Sequence, residues 1–145
     1  MGLQTRVRAG WGYWLVAVLA LLWNAFGCLD FWMTLTRDPA YMAQMPPDMI
    51  DWLNAAPAWI YATWAAGVGG GVLGALLLLA RSRWAIGAFA ISLVGLAVNQ
   101  AWQLTGDMPA SMHSPGNLAM TATIWVVAVA LLWFSVRMRA RGVLR

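Results

Sequence analysis

Residues 52–80 read WLNAAPAWIYATWAAGVGGGVLGALLLLA, and nothing in that stretch is Asp, Glu, Lys or Arg. As an α-helix it is long enough to cross a hydrocarbon core of about 30 Å. Three other stretches share the property: Ala9–Leu29, Trp84–Gly106 and Met108–Val136, each at least 21 residues long. Hydrophobic residues make up 62% of the 145-residue chain and charged ones 10%, which excludes an ordinary water-soluble domain. The sequence predicts an all-α, integral membrane four-helix bundle running up-down-up-down as a single membrane domain over residues 1–145. Its spans fall at about 10–35, 57–80, 84–105 and 117–136, with exterior loops at 36–56 and 106–116.

Orientation follows from charge. The chain has no Lys and no Glu, so every charged side chain is Arg or Asp. Arg6 and Arg8 precede the first span, Arg81 and Arg83 separate the second and third, and Arg137, Arg139, Arg141 and Arg145 follow the fourth. Only Arg37 lies on the other side, together with Asp30, Asp38, Asp48, Asp51 and Asp107. Arginine retained on one side marks the cytoplasmic face, which predicts a bacterial inner-membrane protein with both termini cytoplasmic. The net charge of +4 is then explained by topology and by contact with membrane lipid, and no nucleic-acid partner is expected. The first span is too long for a signal-peptide core. Bulky Trp23, Phe26, Phe31 and Trp32 occupy the place of small cleavage-site residues, so the span reads as retained.

Proline and aspartate punctuate the first exterior loop. Asp38-Pro39 predicts a helix start with a capping carboxylate and proline at the first position. After Pro46-Pro47, Asp48 opens a second short segment bearing Met49, Ile50, Trp52 and Leu53, too short to span and expected flat on the outer interface. Arg137–Arg145 reads as a cationic tail. Leu35–Ala40 is weakly echoed by Leu104–Ala110 at the outer end of the other outgoing helix. Reused capping residues and a duplicated hairpin both explain the echo.

Small residues form stripes on each span, most clearly Gly67, Gly70, Gly71 and Gly74 on the second, and Ser92, Gly95, Asn99 and Gln103 on the third. They predict close helix packing, because lipid gives no hydrophobic drive for helices to associate. Amides inside apolar helices carry more information, since an unpaired amide in hydrocarbon is costly. Asn99, Gln100 and Gln103 fall at outer depth and Asn24 just past the midplane. Tyr61, Thr63, Thr121 and Thr123 lie at matching depth, and Asp30 sits near the rim. The inner half is almost wholly Leu, Ala, Val and Ile. Two readings stand side by side: a wet exterior pocket formed by Asn24, Asp30, Tyr61, Asn99, Gln100 and Gln103, or amides that only fix helix register. Arg37 or His113 are the available partners for Asp30, and His113, the only histidine, reads as a loop residue.

Catalytic chemistry finds little support. With Cys28 alone there is no disulfide and no thiol-oxidase cysteine pair, and no span carries paired histidines for haem. Multidrug exporters of this size need an intramembrane Glu, and the chain has none. Gly69–Ala75 is similar to the glycine-rich opening of small fluoride channels, but their phenylalanine motif is missing. No enzyme activity, cofactor or metal is expected.

The run Trp23–Thr34 (WNAFGCLDFWMT), the following Thr36–Gln44 (TRDPAYMAQ) and the ending Arg137–Arg145 (RMRARGVLR) resemble a small bacterial family of four-span proteins. The resemblance covers nearly the whole chain. Members are often automatically described as sugar transporters without a characterised mechanism. The resemblance therefore implies a four-span fold and a transport-related role, and assigns no residue a function. Two functions remain open: binding of a small polar solute, with transport through a homo-oligomer, or an accessory subunit of a larger membrane complex.

Overall fold

The computed structural model describes residues 7–145, so Arg6 lies outside the described residues. Among them there are helices and turns and no strand. The helices are α1 (Trp11–Leu35), α2 (Pro39–Met42), α3 (Pro47–Ala55), α4 (Ala58–Leu79), α5 (Ala85–Thr105) and α6 (Pro115–Ala140), with a 3₁₀ turn at Ala110–His113. Four of them, α1, α4, α5 and α6, are long and apolar enough to cross a membrane, which makes this a multi-pass membrane protein. Helix α6 extends past the expected span at both ends. Ser114 caps it by accepting from the Asn117 N–H, with Pro115 in the first turn, and Arg137 and Arg139 favour the last turn.

Below, the arginine end is the one holding Arg81, Arg83 and Arg137, and the loop end holds α2, α3 and the 3₁₀ turn. Helix α4 lies between α1 and α5, in close contact with both. Backbone meets backbone along the α4–α5 seam. Ser92 Oγ donates to the Gly67 carbonyl at 2.6 Å, and a Cβ placed on Gly95 would lie 2.7 Å from the Thr63 carbonyl oxygen. A Cβ on Gly70 would meet the Ala88 carbonyl at 2.9 Å, and one on Gly74 the Phe89 ring at 2.7 Å. On the α1 side, a Cβ on Gly71 would overlap the Asn24 amide. Small side chains here let dispersion contacts hold helices that lipid would otherwise solvate equally well.

Full burial is concentrated at the arginine end. Tyr13, Ala17, Ala75, Leu78, Ala85, Phe89, Leu131 and Met138 form one cluster there, with the Tyr13 hydroxyl donating to the Leu78 carbonyl and its ring stacked on Phe134. In the loop half, among the described residues, only Thr34, Leu53 and Ile60 are fully buried, with Gly95 near mid-helix. Helix α6 follows the same gradient. It is the least buried of the four long helices, and residues 113–120 at its loop end are all exposed.

Three helices end in one motif. After α1, Arg37 N–H donates to Thr34 O and Asp38 N–H to Met33 O. After α4, Arg81 N–H donates to Leu78 O and Ser82 N–H to Leu77 O. After α6, Gly142 N–H donates to Arg139 O and Val143 N–H to Met138 O. Each is a Schellman closure whose key residue takes positive φ: 55° at Arg37, 56° at Arg81 and 73° at Gly142. Glycine is the usual occupant, because a Cβ is strained there. The last closure gives the cationic tail a fold that its charges do not suggest. Val143 and Leu144 fold back and are 5% and 4% exposed. Arg145 exchanges backbone hydrogen bonds with the α4–α5 turn (Arg145 N to Arg81 O, 2.9 Å; Arg83 N to Arg145 O, 2.7 Å). Arg81 completes a clasp, its Nε donating to Val143 O and its Nη2 to Val7 O.

At the loop end, Asp38 caps α2 as its sequence suggests, accepting from Tyr41 N–H at 2.9 Å. Asp48 sits inside the first turn of α3 and is not its cap. Its carboxylate accepts from Ser111 N–H, tying the two loops together. Leu53 is buried and Trp52 lies against Trp102 at 4.7 Å between centroids, so the apolar face of α3 rests on the bundle.

Candidate functional site

The six polar residues singled out on the helices separate into three settings. Asn24 and Asn99 belong to helix seams. Asn24 donates to the carbonyl of Ala20, one turn back on its own helix, with its oxygen over Gly71. Asn99 Nδ2 donates to Thr63 Oγ1 at 2.7 Å and to Gly95 O at 3.1 Å, bridging α5 to α4. An amide so placed fixes the register of two helices.

Asp30 and Tyr61 belong to the attachment of the first loop. Asp30 accepts the hydroxyl of Tyr41, bringing α2 onto α1, and neither Arg37 nor His113 is its hydrogen-bond partner. His113 Nδ1 lies 3.2 Å from the Pro109 carbonyl in its own turn. Tyr61 donates to Leu53 O at 2.8 Å and accepts from Arg37 Nη2 at 3.3 Å. Arg37 Nη1 is shielded and has no partner, a situation that costs about 1–3 kcal/mol where no acceptor is supplied.

Gln100 and Gln103 form the third setting. They lie one turn apart on the face of α5 that meets α6, both half-buried. Gln100 Nε2 donates to Gln103 Oε1 at 3.4 Å, and Trp125 Nε1 of α6 donates to Gln100 Oε1, also at 3.4 Å. Two primary amides offer four N–H donors and four acceptor lone pairs, so these long contacts leave most of their capacity unused. Trp125 stands on the fourth span with Asn117, Thr121 and Ala128 at helical spacing, a stripe legible in the sequence. Tyr41 was not singled out. The signal for it is the Asp38-Pro39 helix start, which turns the chain back and sets Tyr41 over Asp30.

Two shallow grooves are lined by neither glutamine, though the second shares Trp125 with them. One, of about 440 Å³, runs between α1 and α6 and is lined by Val16, Leu19, Ala20, Leu22, Trp23, Val127 and Leu131. The other, of about 470 Å³, lies on α6 over Trp125, Val126, Val129, Ala130 and Trp133. Both are apolar. Among the described residues no three of His, Cys, Asp and Glu come together as a metal site would require.

Two loop groups titrate away from their ordinary values. Burial, reinforced by the hydrogen bond to Asp30 and by its charge, pushes the Tyr41 phenol up to about 12, with Thr34 opposing. Backbone N–H of Ser111, ahead of smaller causes, holds the exposed Asp48 carboxyl below its ordinary value. The tyrosine makes a testable statement. A raised pKa means the folded state keeps the proton longer, so the stabilisation is complete below the ordinary value of 10.0 and is lost as pH rises through about 12. The stability of the protein relative to Tyr41→Phe should therefore fall between those two values. Melting curves of both proteins across that range check it, and parallel curves would show that neither burial nor Asp30 raises the phenol.

No family model matches the chain, and no curated protein or solved structure matches it.

Proposed function

We propose that this chain is a non-catalytic protein of the bacterial inner membrane, with both termini in the cytoplasm, that binds a small uncharged polar solute at the α5–α6 seam in a transport-related role. The observation that carries this reading is the state of Gln100 and Gln103. Their amides are half-buried, held only by long contacts, and stand in the half of the bundle with few fully buried residues, away from the apolar cluster at the arginine end. An amide pair beside an indole suits a neutral hydroxylated molecule, because it offers directed donors and acceptors with no charge. The gathering of arginines at one end supports the orientation, which turns the glutamine half outward. Four helices leave little room for alternating access, so a homo-oligomer or a partner would complete a transport path.

The experiment compares Gln100→Leu/Gln103→Leu with Asn99→Leu, probed by thermal shift and uptake with a panel of neutral sugars and polyols. The glutamine pair should lose the response by about tenfold or more while the protein still folds, since each lost buried hydrogen bond weakens binding. Asn99→Leu should lower stability first, because it frees Thr63 at the α4 seam. A glutamine double variant that melts higher and keeps every response would remove the solute reading.

A second reading, an accessory subunit of a larger membrane complex, draws on α6. Its Trp125–Trp133 face is apolar and unpartnered, and the helix is the least buried of the four long ones. Co-purification of a defined complex in mild detergent favours this reading, and a lone monodisperse particle of one chain counts against it.

A further inference from the structure

Two of the three Schellman closures place arginine where glycine would be free of strain, and the two arginines differ in what they obtain from it. Arg81, at φ 56°, spends both ends of its guanidinium on the carbonyls of Val143 and Val7. The side chain explains why a strained residue stands there. Arg37, at φ 55°, has one long hydrogen bond to Tyr61 and a second nitrogen, Nη1, with no acceptor. Neither nearby acid is hydrogen-bonded to it: Asp38 accepts from the Tyr41 N–H and Asp30 from the Tyr41 hydroxyl. Arg37 is also the single arginine at the loop end, where an anion has this one guanidinium to bind among five aspartates. Strain retained at a position whose side chain has spare capacity points to a ligand.

We infer that Arg37, braced by Tyr61, is a binding site for a phosphate-like oxyanion, either free in solution or carried by a lipid headgroup. The guanidinium fork matches such a group in geometry as well as charge, and an oxygen at Nη1 supplies the acceptor the fold omits. Because Nη1 is shielded, the guanidinium or its surroundings must shift as the oxygen arrives. The site is separate from Gln100 and Gln103 and stands or falls without them.

The glycine variant makes the test clean. Arg37→Gly removes the guanidinium and relieves the backbone at once, so it should fold at least as well as the parent. Melting temperature and tryptophan fluorescence are followed with inorganic phosphate in a neutral detergent, and separately with phosphatidylglycerol added to the same micelles. The parent should respond to at least one probe, and Arg37→Gly should bind that probe about tenfold more weakly, the loss of one charge-assisted hydrogen bond. Arg37→Lys, which keeps the charge and loses the fork, should fall between them, and it serves as the variant if the glycine protein folds poorly. A response to phosphate assigns the free ion, and a response to the lipid alone assigns the headgroup. No response to either probe, or the same response after substitution, overturns the site.

Discussion

Gly95→Ala should destabilise the protein by about 3 kcal/mol, the upper part of the range for forcing a methyl into a packed interior. The new Cβ would stand 2.7 Å from the Thr63 carbonyl oxygen, 2.8 Å from Gly67 N and 3.0 Å from Gly67 Cα. All three are backbone atoms of a neighbouring helix, so no side chain can swing aside, and α4 and α5 must separate along the seam. Separation also stretches the Ser92–Gly67 and Asn99–Thr63 hydrogen bonds that depend on it. Gly69→Ala and Gly87→Ala are the controls, because nothing lies within 4 Å of a Cβ at either. Alanine is the better helix former by about 1 kcal/mol, so those changes should be neutral or stabilising. Unfolding of the three variants in detergent decides the matter. Equal losses at all three positions would mean that helix propensity governs and that the close seam does not.

Deleting residues 143–145 should cost about 3 kcal/mol and loosen α6 selectively. Burying a valine and a leucine is worth about 1.5–3 kcal/mol each, an upper figure because unfolded chains are already partly collapsed. The deletion also removes both backbone hydrogen bonds to the α4–α5 turn and the acceptor of Arg81 Nε. What remains at that end is Tyr13–Phe134 stacking and the Leu131 and Met138 contacts, with the long Trp125–Gln100 bond and the Asn117–Ser111 bond farther along α6. Hydrogen exchange in a micelle should show faster exchange over the arginine half of α6, with α4 and α5 still protected. If all four long helices lose protection together, the tail is part of one cooperative unit and has no special hold on α6.

The gross architecture was legible because crossing a membrane imposes a requirement that a sequence meets by length and lack of charge alone. Pro39 marked a helix start for an equally local reason, since it fixes φ and lacks an N–H, whereas Pro47 and Pro115 begin helices that the sequence opens only at Asp48 and Asn117. Glycines could be read as packing residues, but Gly69 and Gly70 are adjacent in sequence and one meets a backbone while its neighbour meets nothing. That difference depends on the rotation of α4 against α5, which periodicity does not determine. The amides show the same limit. Asn99 and Gln100 are also adjacent, yet one is fastened to Thr63 on α4 and the other faces Trp125 on α6. The folded-back tail was illegible for another reason. Arg139, Arg141 and Arg145 read as solvated charge, and the apolar pair Val143–Leu144 gains a place to go only when Gly142 reverses the chain.

The firmer fastening of α6 at its arginine end, against a lighter tie of Asn117 to Ser111 at the other, has a mechanical corollary. Twenty-six residues of helix make a rigid arm about 39 Å long at roughly 1.5 Å per residue. Pivoted at the Arg81 clasp, a tilt of about 5° carries its far tip by about 3 Å on that length, roughly the diameter of a water molecule. Gln100 meets this arm about midway, through Trp125. A slight yielding at the pivot thus becomes a change in aperture beside the amides, amplified by nothing more than leverage.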